Sequence, residues 1–392
     1  MSHMARLARV YYIAPVASQE LNERYGQQRY VGAAAKKVFA VCRALRGAGI
    51  SPVVVSTAMD RPKSHRRNRA TRTDGVAYVR VYSVGTAWMR RIFSALTLLF
   101  FVLKVPRKGD RVLMYNFFPE YALAAAWLNF FGMAAILDVE DAPTSREPGL
   151  RGSTTRLSYQ ILKKLTAPRQ VVASGSLAAL LGLRTVCIVY GASRSNHIVH
   201  RPKFVAPRLN IHIGGTVNAG TGSLLFSAAL KETALIAPDI PIDFHVTGHW
   251  DNEGMTALKK EVETSSNIGL FLYRALSASQ YDALFAQMDV GLSLRLSTHE
   301  ISDSTFPSKV VEITLGGLLL CSTCTSDIPE LFDDESAILL REETPRALAQ
   351  TFIEINGQRR RSARRAACGS ARANELFNSN AVGNRLAAFL HG

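Results

Sequence analysis

The chain has 392 residues, of which 47% are hydrophobic and 20% charged; this excludes a largely disordered protein, and the length suits two domains better than one core. A formal net charge of +16 points to an anionic partner: nucleic acid, acidic lipid or a phosphorylated small molecule. No zinc-finger, RNP or homeodomain pattern accompanies the arginines, which places nucleic acid last.

The five cysteines (Cys42, Cys187, Cys321, Cys324, Cys368) are odd in number and scattered. Cys321 and Cys324 have C-x-x-C spacing, but no second pair completes a zinc site, so no metal is expected and a reducing, cytoplasmic setting is. The start, MSHMARLARV, runs directly into an apparent strand, without the charged and apolar regions of a signal peptide.

In chain order, Ala8–Pro15 reads as a strand, 32–47 as a helix and Pro52–Thr57 as a second strand, with a long polar loop over 16–30. That is the opening of a doubly wound sheet, whose ligands lie outside the strand carboxyl ends. No G-x-G-x-x-G occurs there, so the nicotinamide and flavin fingerprint is missing. The run 60–75, DRPKSHRRNRATRTDG, is basic and reads as a solvated loop or as an attraction for an anionic membrane. Val76–Tyr82 is a strand, and Trp88–Val105 a helix holding the most apolar run, IFSALTLLFFVL. At well under the roughly 20 residues of a membrane span, it is either a core helix or an interfacial one flanked by Trp88, Arg90, Arg91, Lys104, Arg107 and Lys108.

Asp110–Phe118 is a strand ending at Pro119-Glu120, and Tyr121–Phe131 a helix. The buried strand 134–139 ends in Asp138, Glu140 and Asp141, three carboxylates where doubly wound sheets place active sites. Elements continue as a helix over Ser158–Leu165, a strand over Gln170–Ala173, a helical turn over Ser176–Leu181 and a strand over Thr185–Val189. The polar, proline-bearing stretch 198–207 then reads as a linker.

The pattern restarts at Leu209–Gly214, a strand followed by a glycine-rich loop to Gly222 and a helix from Ser223. Ile242–Thr247, Ile268–Leu272 and Val290–Leu294 are strands, with a helix over Ser279–Gln287. Ser304 to Pro307 is a loop, Ser308 a helix N-cap, and Lys309–Leu315 the helix, stopped by Gly316-Gly317. Lys309 and Glu312 share a helical face; a helix N-terminus with a cation suits a phosphate, and the carboxylate suits a sugar hydroxyl. Leu318–Ser322 and Ser336–Leu340 are strands, and helices over Pro345–Asn356 and Arg359–Phe389 close the chain. The expected architecture is α/β, two Rossmann-like doubly wound domains with an interdomain cleft. Its parts are 5–197, the linker 198–207, 208–375, and a C-terminal helix over 376–392 packing back on the first domain.

Several segments resemble the GT-B glycosyltransferases, specifically the large retaining sugar-nucleotide-dependent group. FPSKVVEITLGGLLLCS with DIPEL is similar to the donor-binding signature, and YDALFAQMDVGLSL to the helix and strand before it. IHIGGTVNAGTGSLLFSAAL resembles the phosphate-side glycine loop, FHVTGHW a strand ending in glycine, and VLMYNFFPEYALAAAWLNFFGMAAILDVEDAP the acceptor-domain core. The resemblance implies a nucleotide-diphosphate sugar, UDP- or GDP-linked, as co-substrate, with no cofactor or metal. A glycan or lipid-linked acceptor in surface-glycan assembly follows, on a cytoplasmic protein peripheral to the inner face of an anionic membrane. Glu312 would bind the donor ribose, and Ser308 and Lys309 the diphosphate together with Gly214, Gly215 and Thr216. Tyr273 and Arg274 would meet the nucleobase, Ser304 and Pro307 lie in the donor loop, and Glu140 or Asp141 would contact the acceptor hydroxyl or act as base. The sequence departs from the group at Ser304, where an acid is usual, and at Thr216 and Thr221, where cations are; Lys309, Arg274 or Arg295 are the candidates to replace that charge. Asn116 and Phe117 stand where a histidine is common. These departures leave a second class open, a non-catalytic GT-B-like binding or scaffold subunit.

Overall fold

The computed structural model describes residues 9–17, 33–57, 71–73, 75–81, 86–133, 135–143, 150–192, 202–216, 221–250, 252–274, 276–298, 302 and 305–392. The chain divides into two units, Met1–Arg194 with Phe377–Gly392, and Ser195–Leu376.

In the first unit the order is β1 (Val10–Ala14), α1 (Ala33–Gly47), β2 (Pro52–Ser56), β3 (Thr71–Thr73), β4 (Val76–Arg80), α2 (Ala87–Lys104) and β5 (Arg111–Tyr115). A 3-10 turn at Pro119–Tyr121 leads to α3 (Ala122–Phe130), β6 (Ala135–Val139), α4 (Leu150–Leu165), β7 (Gln170–Val172), α5 (Gly175–Leu180) and β8 (Val186–Ile188). The sheet runs β3-β4-β2-β1-β5-β6-β7-β8, parallel except for the β3–β4 pair. Strands β1 and β6 are buried at every residue, which explains why they read as continuous apolar runs and not as alternation. The chain works outward from β1 to β4, then returns to lay β5 on the other side of β1, so the switch point falls between β1 and β5.

The second unit holds β9 (Leu209–Thr216), α6 (Ser223–Ile236), β10 (Ile242–His249), α7 (Asn252–Ser265), β11 (Ile268–Tyr273), α8 (Ala278–Phe285), β12 (Val290–Ser293) and α9 (Ser308–Leu315). Then come β13 (Leu319–Thr323), α10 (Ile328–Leu331), β14 (Ile338–Leu340), α11 (Pro345–Gly357) and α12 (Arg359–Phe377), after which the chain returns to the first unit with α13 (Ser379–His391). The sheet is wholly parallel in the order β11-β10-β9-β12-β13-β14, with its switch point between β9 and β12. One face is apolar and packs α6, α7 and α11 through Phe226, Phe244, Leu258 and Phe352. The opposite face is polar near its carboxyl edge, and this asymmetry frames the candidate site.

Helix α13 belongs to the first unit and lies along α1, burying Val382, Leu386 and Leu390. Gly383 permits this approach, because a Cβ there would stand 2.1 Å from the Ala44 carbonyl oxygen.

Five features differ from the sequence expectation. The segment 71–73 is an edge strand and not loop, and α4 begins at Leu150, eight residues early. Helix α7, an amphipathic run the sequence reading passed over, covers the apolar face. The single helix expected over Arg359–Phe389 is two, because Asn378 caps a new one: its φ and ψ are −56° and 139°, and its side chain accepts from Asn380 N–H. Residues Lys203 and Phe204 of the expected linker are built into the second unit. Phe204 donates its N–H to Asp289 and Lys203 donates to the carbonyls of Ala286 and Met288.

Candidate functional site

The second unit gathers cations at the carboxyl edge of β9. Lys309 lies in the first turn of α9 and against Gly215, where an added Cβ would be 2.8 Å from Cε and 3.3 Å from Nζ. Gly215 has φ +87°, a left-handed conformation that glycine adopts without strain. The Lys309 ammonium makes no hydrogen bond or ion pair among the described residues. Burial first, and the neighbouring Arg295 second, lower its pKa to about 8, against the opposing pull of Glu312. Arg295 is anchored by donating to the Thr305 carbonyl at 3.1 Å, and its N–H donates to Thr323 Oγ1 at 3.0 Å. Two cations thus converge beside a glycine backbone and the first turn of a helix, an arrangement that binds anions.

Ser308 is not the N-cap that its sequence position predicts. Pro307 is, with φ −69° and ψ 103°; it offers no side-chain cap, and Ser308 is the exposed first residue of α9. Proline's fixed φ puts the chain break one residue earlier, and the N-cap itself offers the leading amides of α9 no side-chain acceptor. Glu312 follows one turn on, half-buried and on the Lys309 side of the helix. Ser304 lies outside the described residues, and Thr216 closes β9.

The polar face under this edge is a set of neutral rings. His212 pairs with Thr247 Oγ1 at 2.9 Å, and burial, with the Lys309 charge behind it, pushes its pKa down to about 3. His245 hydrogen-bonds the Tyr273 hydroxyl at 3.1 Å and Asn210 Oδ1 at 3.2 Å, and burial lowers its pKa to about 4. Register places Gly214, Thr247 and Tyr273 in one row across β9, β10 and β11, roughly 10 Å from end to end. Tyr273 is therefore held by its hydroxyl, with its ring near-parallel to His245. Arg274 lies over the Trp250 ring at 5.0 Å and donates to the Trp250 carbonyl at 3.2 Å. Of the three candidate replacement cations, Arg295 and Lys309 are together, whereas Arg274 is engaged with Trp250.

In the first unit, Asp138, Glu140 and Asp141 have three different fates. Asp138 is buried, accepts from the Tyr12 hydroxyl and lies 3.5 Å from Lys37 Nζ. Glu140 is ion-paired with the same lysine, which projects from α1. Burial lowers the Lys37 pKa and the carboxylates oppose it. Glu140 is thus bound into a buried ion cluster. Asp141 is exposed; Asn116 Nδ2 donates to its carboxylate at 3.3 Å. Asn116 also accepts from the Glu140 N–H at 2.7 Å and has φ +54°, so it clamps the turn after β6 from a left-handed position.

Two functional candidates escaped the sequence reading. Lys37 is one, hidden in an ordinary helix pattern. The other is Glu120, marked in the sequence only as the end of a strand. It is buried in the 3-10 turn after β5, and neither carboxylate oxygen has a hydrogen-bond partner among the described residues. Burial raises its pKa, with its own backbone N–H first and Arg91 second pulling the other way. The Tyr121 and Thr57 hydroxyls are buried beside it, within reach of each other but without a hydrogen bond of normal geometry. The signal for it was positional: an acid at the carboxyl end of a switch-point strand. Among the described residues no three His, Cys, Asp or Glu side chains converge as a metal set.

Two doubly wound parallel sheets, each with a switch point and ligand-ready carboxyl edge, define the class: the chain has the GT-B glycosyltransferase fold. Solved structures of that fold include TarM, with TM-score 0.69 and 8% identity over 98% of this chain and 99% of that one. Anabaena HepE, solved in complex with UDP and glucose, gives TM-score 0.67 and 12% identity over 98% and 100% of the two chains. Sucrose-phosphate synthase from Thermosynechococcus elongatus gives 0.65 and 12% over 98% of each. No protein-family model and no curated protein sequence matches the chain.

Proposed function

We propose that the chain transfers a sugar from a nucleotide-diphosphate donor to a glycan or lipid-linked acceptor in surface-glycan assembly. It would work on the cytoplasmic side, at an anionic membrane surface. The observation that carries the donor half is Lys309, a largely buried ammonium set against Gly215 beside Arg295, with no ion-pair partner among the described residues and Glu312 acting on it only through space. A diphosphate fits that place: Lys309, Arg295 and the leading amides of α9 would neutralise the leaving group without needing a metal. Glu312 would accept from the ribose hydroxyls. Tyr273 and Arg274, at the end of β11, would border the base, and Gly214, Thr216 and Pro307 would supply backbone around the phosphates. HepE holds UDP in the same fold, which supports uridine as the base. On the acceptor side Asp141 is the accessible carboxylate, and Glu140 would orient the turn that carries it.

The deciding experiment is calorimetric titration of UDP and GDP into wild type, Lys309→Met and Glu312→Gln, followed by transfer and hydrolysis assays on a nucleotide-sugar panel. Each variant is expected to bind at least about tenfold more weakly while melting no lower than wild type. Unchanged affinity in both removes the donor site. A second reading, a non-catalytic binding subunit, draws on one observation: Glu140 is consumed by Lys37. Turnover of any nucleotide sugar by the purified chain excludes it.

A further inference from the structure

Helices α2, α3 and α4 pack in series on the Tyr11 side of the first sheet. Helix α2 buries Ser94, Leu98 and Val102 toward the sheet. Its opposite side is no polar face, as a surface helix would have: Trp88, Ile92, Leu96 and Phe100 repeat every four residues there, with Trp88 66% and Phe100 59% exposed. Helix α3 adds Phe130, 82% exposed, and Phe131 follows it, while α4 adds Leu157 and Ile161 one turn apart. These three helices carry most of the chain's exposed large apolar side chains among the described residues, more than a lone surface patch requires.

Their charge is one-sided. Helices α2 and α4 contain arginine and lysine but no aspartate or glutamate, and α3 contains no charged residue. Lys104, Arg107, Lys108, Lys163 and Lys164 are exposed at the helix ends. No helix among the described residues is long and apolar enough to cross a membrane.

We propose that this three-helix face docks on an anionic lipid bilayer, with the apolar stripe among the acyl chains and the lysines and arginines at the headgroups. A second copy of the same face would bring no acidic side chain of these helices to the lysines and arginines, which disfavours self-pairing. The proposal deepens the membrane part of the function above and is independent of the donor site.

The test is flotation of the full chain with phosphatidylcholine vesicles and with vesicles containing phosphatidylglycerol. Wild type is expected to float with the second kind only, less so as salt rises. Ile92→Glu/Phe100→Glu and Lys104→Gln/Arg107→Gln/Lys108→Gln change exposed side chains. Each is expected to keep its melting temperature and UDP affinity and to partition about tenfold or more weakly. Wild type that stays out of anionic vesicles overturns the proposal, as does equal flotation of both variants. So does a wild-type dimer that the glutamates dissolve without any flotation. If UDP fails to bind while flotation behaves as expected, the donor reading falls and the docking face stands.

Discussion

Lys309 and Gly215 are in contact across the carboxyl edge of the second sheet, and the contact exists because residue 215 has no Cβ. Gly215→Ala would put a methyl group into the lysine stem and force a left-handed φ of +87° on an L side chain. The expected cost is about 1–3 kcal/mol of stability and a donor affinity about tenfold weaker as the ammonium is displaced. Gly49→Ala is the control, since φ there is +82° but nothing lies within 4 Å. It should lose stability on the same scale and bind UDP like wild type. Equal affinities for both variants would detach Lys309 from the donor.

The Lys309 pKa of about 8 gives affinity and stability opposite pH slopes. Diphosphate binding needs the ammonium, so affinity should fall as pH rises above about 8. The folded value lies below the ordinary 10.5, so the unfolded chain binds more protons between the two, and the unliganded protein should gain stability over that range. Lys309→Arg stays charged and should bind with no such decline. Titrations and urea melts on either side of pH 8 read both slopes.

Much of this was legible in the sequence, and the pattern of what was not is physical. The parallel strands announced themselves because a strand buried on both faces is a run such as VYYIA or AILDV, and the second-unit site because proline, lysine, glutamate and paired glycines fall in a short span. Ser308 misled because a serine before a helix normally caps it, whereas here Pro307 already fixes the turn. Lys37 was invisible, since its partners Asp138 and Glu140 are about a hundred residues away and only the β1–β5–β6 order brings α1 over them. The same pairing changes how the acidic turn works: Glu140 looked as free as Asp141 in sequence, and the fold neutralises one and exposes the other.

Lys37 therefore carries a stability prediction. Lys37→Met leaves the buried Asp138 and the part-buried Glu140 without their cation and should cost about 3–5 kcal/mol, read as a lower urea midpoint. Adding Glu140→Gln should recover part of the loss, because one of the stranded charges is gone. Glu140→Gln alone should act mainly on stability. Asp141→Asn, at an exposed side chain, should leave the melt unchanged and lower the transfer rate about a hundredfold. The reverse ranking would return the acceptor role to Glu140.

Glu120 supplies the last test. Burial raises its folded pKa above the ordinary carboxylate value of 4.5, so the folded state holds its proton to higher pH than the unfolded chain does. Its contribution is full below about 4.5 and is lost as pH rises through the raised value, where a buried carboxylate with no hydrogen-bond partner among the described residues must ionise. Wild type should therefore lose stability across the mildly acidic range, and Glu120→Gln, which keeps the shape and cannot ionise, should lose less. Urea unfolding of the two proteins over that range measures the difference. Parallel curves would mean that the Glu120 carboxylate is compensated in solution and is no reservoir of unpaired charge beside the β1–β5 switch point.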